Sequence, residues 1–180
     1  MLVNFPYLCA MNFVDTHTHL YSSKFQEDTL QMILRALDAG VSRFFVPAID
    51  SSYTQRMYDL QAQFPDCVFL MMGLHPTYVK PESWEAEISH VEAQLAARKF
   101  YAVGEIGIDL YWDKSTLEIQ KLAFGHQIGL AKHYGLPINI HCRDAFDEVF
   151  EVLEAHADEA LWGIIHCFTG TDYLAQNALD

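Results

Sequence analysis

Six short apolar runs recur along the chain: NFVDTH near residue 12, SRFFVPAI near 42, CVFLMMGLH near 67, FYAVGEIGI near 100, LPINIHC near 136 and LWGIIHC near 161. Their length and their richness in Val, Ile and Phe read as buried parallel strands. Helical patterns lie between them. Leu30, Ile33, Leu34 and Leu37 fall at i, i+3, i+4 and i+7, and Ala39-Gly40 supplies a stop. Further helices are predicted near 54–63, 84–98, 117–134 and 145–157, with a last one starting near Asp172. Strict alternation of strand and helix implies a parallel sheet, either doubly wound or closed into a (β/α)8 barrel. No Gly-rich phosphate loop follows the first strand, which argues against a dinucleotide-binding fold.

The expectation is therefore an α/β fold, a TIM-type (β/α)8 barrel of which about the first six βα units are present. A complete barrel usually needs roughly 250 residues, whereas six strands are used before residue 168 and the chain stops inside the sixth helix. Residues 12–180 are expected to form this partial barrel domain. Residues 1–11 are read as a leader of uncertain order, with a strand closing the barrel bottom as the alternative.

Composition narrows the class. The 180 residues carry 11 Lys plus Arg against 24 Asp plus Glu, a formal charge of −13, and 51% are hydrophobic. That much apolar material excludes a disordered chain. No apolar run approaches the roughly 18 residues of a spanning helix, so no membrane contact is predicted. The acidity disfavours a broad surface for long nucleic acid but leaves room for a small metal-lined cleft. MLVNFPYLCA lacks Lys and Arg and contains Pro6, unlike a secretory signal. Cys9, Cys67, Cys142 and Cys167 lie far apart without CxxC spacing, which suits a reducing, cytoplasmic setting.

The candidate chemistry sits at strand ends. In Asp15-Thr16-His17-Thr18-His19 the side chains of 15, 17 and 19 would share one strand face, and two imidazoles at i, i+2 can grip a divalent ion. Glu105 interrupts the apolar run VGEIG, where a carboxylate is costly unless paired or metal-bound. Asn139, His141 and Arg143 share one face of the fifth strand, and His166 ends the sixth. The carboxyl ends of the strands are where parallel barrels build their sites. Imidazole with carboxylate suits zinc, manganese, iron or nickel. Four His and one Glu exceed the needs of one open site, so two ions sharing Glu105 are expected. Cys142 and Cys167 follow the two histidines on the opposite face and are read as small packing residues. His90, His126, His133 and His156 fall in helices and are read as solvent-facing or packing.

DTHTH, GLHP (73–76), VGEIGID (103–109), INIHCR (138–143) and IIHCFTG (164–170) resemble, in order, the motifs of the TatD family of metal-dependent hydrolases in the amidohydrolase superfamily. The resemblance covers nearly the whole chain after Met11. It implies a TIM barrel with two divalent ions (Zn, Mn or Mg) and hydrolysis of DNA phosphodiester bonds by metal-activated water. By the same resemblance His17 and His19 bind the first ion, Glu105 bridges, and His141 and His166 bind the second. His75 and Arg143 would contact substrate phosphate, with Asp109 as a weaker candidate. His75 has a plainer reading too, as a cap for the turn at Pro76. The family's remaining Asp, in a motif resembling ETDxP after the seventh strand, has no counterpart after Phe168, so no catalytic residue is identified. The 180 residues alone are expected to be poorly soluble and to have little nuclease activity. The alternatives are a dinuclear esterase or amidase, such as a D-aminoacyl-tRNA deacylase, and a catalytically dead truncated barrel. No stable protein partner is predicted.

Overall fold

The computed structural model describes residues 12–179, and the expected leader lies outside them. Six strands alternate with six α-helices: β1 (Phe13–Asp15), α1 (Thr29–Asp38), β2 (Val41–Val46), α2 (Thr54–Gln63), β3 (Val68–Leu70), α3 (Trp84–Ala97), β4 (Val103–Asp109), α4 (Leu117–Tyr134), β5 (Ile138–Arg143), α5 (Phe146–Ala155), β6 (Gly163–Ile165) and α6 (Asp172–Leu179). All strand pairs are parallel, in two three-stranded sheets ordered β1-β2-β3 and β4-β5-β6. A bridge from Met72 to Val103 joins them, reinforced by hydrogen bonds from Tyr101 N–H to Leu70 O and from Gly104 N–H to Met72 O, each 2.9 Å. The strands therefore follow one another across space in chain order, as helix-connected parallel strands do.

The core lies between strands and helices. Val46, Val68, Leu70, Val103, Ile106 and Ile108 are buried from the sheets, and Ile33, Met57, Ile128 and Val149 from the helices. In α1 the expected apolar stripe buries only Ile33; Leu30 and Leu34 are exposed among the described residues. The first strand is shorter than expected. It ends at Asp15, so His17 and His19 sit in the loop beyond it. Thr18 N–H still bonds Phe45 O at 3.0 Å, which keeps that loop against β2.

Helix α4 does more than cover the sheet. Gln120 and Gln127, seven residues apart, share a face and are both buried. Gln120 Oε1 accepts from Asp109 N–H at 2.8 Å, and its Nε2 donates to Asp109 O at 3.1 Å. Gln127 treats Leu74 in the same way, at 2.7 and 3.3 Å. Two side-chain amides thus stand in for a neighbouring strand, fixing the end of β4 and the loop before His75. The helix stops at Gly135, whose φ of +62° gives the left-handed cap that glycine favours.

All seven residues of β4 are buried. Its ladder with β5 slips between Gly104 and Ile106, so Glu105 has no partner on β5. Such a bulge re-aims a side chain. Further along, Gly107 has a φ of +137°, and a Cβ there would lie 2.1 Å from the His141 carbonyl oxygen. Gly107→Ala is therefore expected to destabilise the fold by roughly 2–4 kcal/mol through strain and forced separation of β4 from β5. Urea denaturation followed by circular dichroism would measure it, and a variant as stable as the parent would refute the close approach.

Candidate metal centre

The bulge at Glu105 aims a carboxylate into a ring of imidazoles. The residue is only 3% exposed. Oε2 lies 3.1 Å from His17 Nε2 and 3.3 Å from His19 Nε2. Oε1 lies 2.9 Å from His141 Nδ1 and 3.5 Å from His75 Nε2. Burial opposes ionisation of Glu105, but hydrogen bonds from the surrounding imidazoles, His141 and then His17 first, outweigh it and hold the carboxyl far below the usual carboxylate range. Four histidines from two loops and one strand thus meet one buried charge.

Hydrogen bonds to the far ring nitrogens settle what His19 and His75 offer. Tyr21 Oη donates to Pro47 O at 2.7 Å, so its contact of 2.9 Å with His19 is one it accepts, from Nδ1–H. A neutral His19 then turns a bare Nε2 lone pair towards Glu105. Burial, with the Glu105 charge next, raises the Tyr21 pKa and keeps its proton in place. His75 is the opposite case. The Thr77 backbone N–H donates to His75 Nδ1 at 3.2 Å, so a neutral His75 carries its proton on Nε2 and presents a donor. Burial lowers its pKa. The residue therefore caps the turn at Pro76–Tyr78 and reaches Glu105 as well.

His141 faces a carboxylate at each nitrogen, Glu105 at Nδ1 and Asp109 Oδ2 at Nε2, the latter 2.8 Å away. Burial opposes its charge, but the bonds to Glu105 and Asp109 raise its pKa overall. Asp109 is itself buried, and its Oδ1 accepts the N–H groups of Tyr111 and Trp112 at 3.0 Å each. Both its oxygens are thus engaged within the protein. His166 stacks on His17, with ring centroids 3.5 Å apart and planes 12° apart. Burial, then the His17 charge, lowers its pKa. Arg143 is exposed, with its guanidinium 3.7 Å from the centre of the Tyr111 ring.

Two donor groups result, His17–His19–Glu105 and His75–Glu105–His141, each with ligand atoms within 4.8 Å of one another. The first group fits a divalent cation; in the second a neutral His75 presents Nε2–H, which leaves Glu105 and His141 as its ligands. Imidazole nitrogens with a carboxylate are donors that zinc and manganese accept. The buried Nδ1 of His17 has no partner among the described residues. Above all, a bare His19 nitrogen 3.3 Å from a carboxylate oxygen is repulsive unless a cation, proton or metal, lies with them. Asp15 contacts the His17 backbone N–H and does not join these groups. Cys142 is half-buried and its pKa is pushed up by burial to about 11, whereas Cys167 is exposed instead of packed. An apolar groove of about 630 Å³ between α5, β6 and α6 lies apart from the histidines. No described helix is long and apolar enough to cross a membrane.

Residues 14–180 match the family described as TatD related DNase. The chain belongs to that family. It is 36% identical over 165 residues to the uncharacterized metal-dependent hydrolase YabD of Bacillus subtilis, covering 92% of this chain and 64% of YabD. It is 33% identical over 158 residues to the 3'-5' ssDNA/RNA exonuclease TatD of Shigella flexneri, covering 87% of this chain and 60% of that protein. The crystal structure of YJJV, a TatD homolog from Escherichia coli, superposes with a TM-score of 0.84 at 32% identity, covering 93% of this chain and 64% of YJJV. A TatD family hydrolase from Entamoeba histolytica shares the fold, with a TM-score of 0.80 at 21% identity, covering 94% of this chain and 62% of that one. The chain thus spans about three fifths of the length of these TatD relatives.

Tyr21, Gln120 and Gln127 escaped the motif reading. Tyr21 stands two residues beyond His19, and the glutamines are polar residues at helix-face spacing in an otherwise buried stripe; those were the available signals. If Tyr21 sets the His19 tautomer, Tyr21→Phe is expected to weaken zinc affinity by roughly 10-fold, the lower end for loss of an outer partner of a metal-binding histidine. Competition titration with a chromophoric chelator would measure it, and unchanged affinity would remove Tyr21 from the centre.

Proposed function

We propose that the chain carries the metal-binding part of a divalent-metal-dependent hydrolase that cleaves DNA phosphodiester bonds, built on about six units of a (β/α)8 barrel. The observation that carries this reading is the sharing of Glu105 between two sets of imidazoles, with the bare nitrogen of His19 turned towards its carboxylate. Binding an anionic ester and activating water on it needs concentrated positive charge, and in a chain of −13 that charge is best supplied locally. The family's description as DNases and the Shigella relative's name as an ssDNA/RNA exonuclease agree in kind.

His17, His19, Glu105, His141 and His166 would hold two divalent ions of the zinc, manganese or magnesium kind. Such ions polarise a phosphoryl oxygen and bring bound water towards neutral pKa. The chain's own groups do the rest. Glu105, anchored by the bulge in β4, keeps the two donor sets in register. Asp109 fixes His141 from behind, so its part is to position a ligand while both its oxygens stay occupied. His75 presents Nε2–H to a phosphate oxygen, since Thr77 occupies its other nitrogen. Arg143, one strand step beyond His141, offers a planar fork to the next phosphate.

The protein expressed from its whole reading frame, stripped of metal and reloaded with Mn²⁺, Mg²⁺ or Zn²⁺, is expected to shorten end-labelled single-stranded DNA. Glu105→Gln should lower that rate by at least about 100-fold, as loss of a group acting on the developing charge does. Elemental analysis should show about two ions per chain before the change. Activity with chelator present, or hydrolysis of nitrophenyl carboxylic esters without any DNA cleavage, would overturn the assignment.

A further inference from the structure

Beside the metal centre stands an aromatic surface that the fold does not use. Tyr111 and Trp112 follow β4 directly and are 53% and 69% exposed. Trp112 meets the edge of Tyr111, with centroids 4.9 Å apart at 90°, and its ring lies 5.7 Å from the Arg143 guanidinium. Arg143 covers Tyr111 at 3.7 Å and, among the described residues, has no carboxylate partner. Leaving two large rings in water forgoes the apolar burial they would give elsewhere.

The backbone beneath this surface is anchored. Asp109 Oδ1 accepts both the Tyr111 and Trp112 N–H groups, while Leu110 N–H bonds Arg143 O at 2.9 Å. The same Asp109 contacts His141 through Oδ2, so one carboxylate ties the backbone that carries the two rings to a proposed metal ligand. Arg143 pairs in register with Asp109 and sits two residues past His141, a strand step of about 7 Å. That is within one nucleotide's reach of the reacting phosphate. Asp113, the next acid along, is turned onto Ser115 through Oδ1.

Exposed rings beside an unpaired guanidinium match the chemistry of single-stranded nucleic acid, a flat base followed by a phosphate. We propose that Trp112, Tyr111 and Arg143 form a base-stacking subsite that seats the nucleotide next to the one being cleaved. The proposal rests on the nuclease reading and narrows it to unpaired strands, because a base inside a duplex has no free face to stack.

The test compares an eight-residue oligothymidylate with a strand of eight abasic tetrahydrofuran phosphates, which has equal charge and no bases. Binding to the whole protein is read by fluorescence anisotropy in Ca²⁺, and cleavage in Mn²⁺. The protein is expected to prefer the thymidylate by roughly 5- to 100-fold, the range of one stacked base. Trp112→Ala should bring that ratio near one by raising Kd and KM for the thymidylate, with kcat within about twofold and the melting temperature unchanged. Trp112→Phe should keep most of the preference and lose only the fluorescence quenching that marks Trp112. Equal binding of both strands by the parent, or an undiminished ratio in Trp112→Ala, would overturn the subsite while leaving metal-dependent cleavage standing. A parent protein that neither binds nor cleaves either strand overturns the subsite and the nuclease reading together.

Discussion

A carboxylate in an apolar interior is among the more expensive things a fold can hold, and here it is the point on which the site turns. Glu105 sits on a strand with no exposed residue and has no partner in the β4–β5 ladder. Left alone it would take up a proton or pull in water. Imidazole N–H groups keep it ionised, that of His141 nearest at 2.9 Å, with a cation called for where His19 turns a bare nitrogen to it. Breaking any such buried pair strands a charge, which costs far more than a surface ion pair is worth. The arrangement is therefore rigid by necessity: the loops after β1 and β3 and the end of β5 must stay where the carboxylate needs them.

The fold meets that need with polar groups buried behind the site. Gln127 holds the loop that leads into His75, and Gln120 holds the end of β4 from which Asp109 reaches His141. Both glutamines belong to α4, so one helix braces two sides of the centre. Tyr21 braces a third by fixing the proton on His19. Each brace uses both donor and acceptor capacity of its side chain, which is the condition for a buried polar group to stabilise rather than cost. Asn139 breaks this rule: buried on the same strand as His141, its amide has no partner among the described residues.

Much of this was readable in the chain. The six strands and six helices fall where apolar runs and helical spacing put them; the signal is unbroken in β3 and β4, which are buried on both faces, whereas β1 and β6 keep apolar sequences although they are largely exposed. Glu105 stood out for the same reason, as the one charge in such a run. What strand periodicity misjudged was the DTHTH segment. The strand ends at Asp15, and His17 and His19 are brought to Glu105 by a loop bonded to β2. Nor could spacing reveal that His166 stacks on His17, since β1 and β6 belong to different sheets and the contact is made in space alone. The exposure of Cys167 follows from a local feature hidden from pattern reading: its φ of +48° turns the chain just beyond β6.

The acidity of the chain bears on what kind of polymer could use this centre. Affinity for long duplexes grows with the number of phosphates neutralised, and a surface with 24 acidic and 11 basic side chains has few cations to offer. A site that takes one strand at a time escapes that requirement. Its positive charge need act only at the reacting phosphate and its neighbour, where the proposed ions and Arg143 stand, and the remaining affinity can come from stacking, which is indifferent to net charge. On that proposal the acidic exterior would repel the densely charged duplex more than a short flexible end. On the proposed nuclease reading the charge balance would favour unpaired strands, and Asp109 would tie the backbone under Tyr111 and Trp112 to His141, a proposed metal ligand.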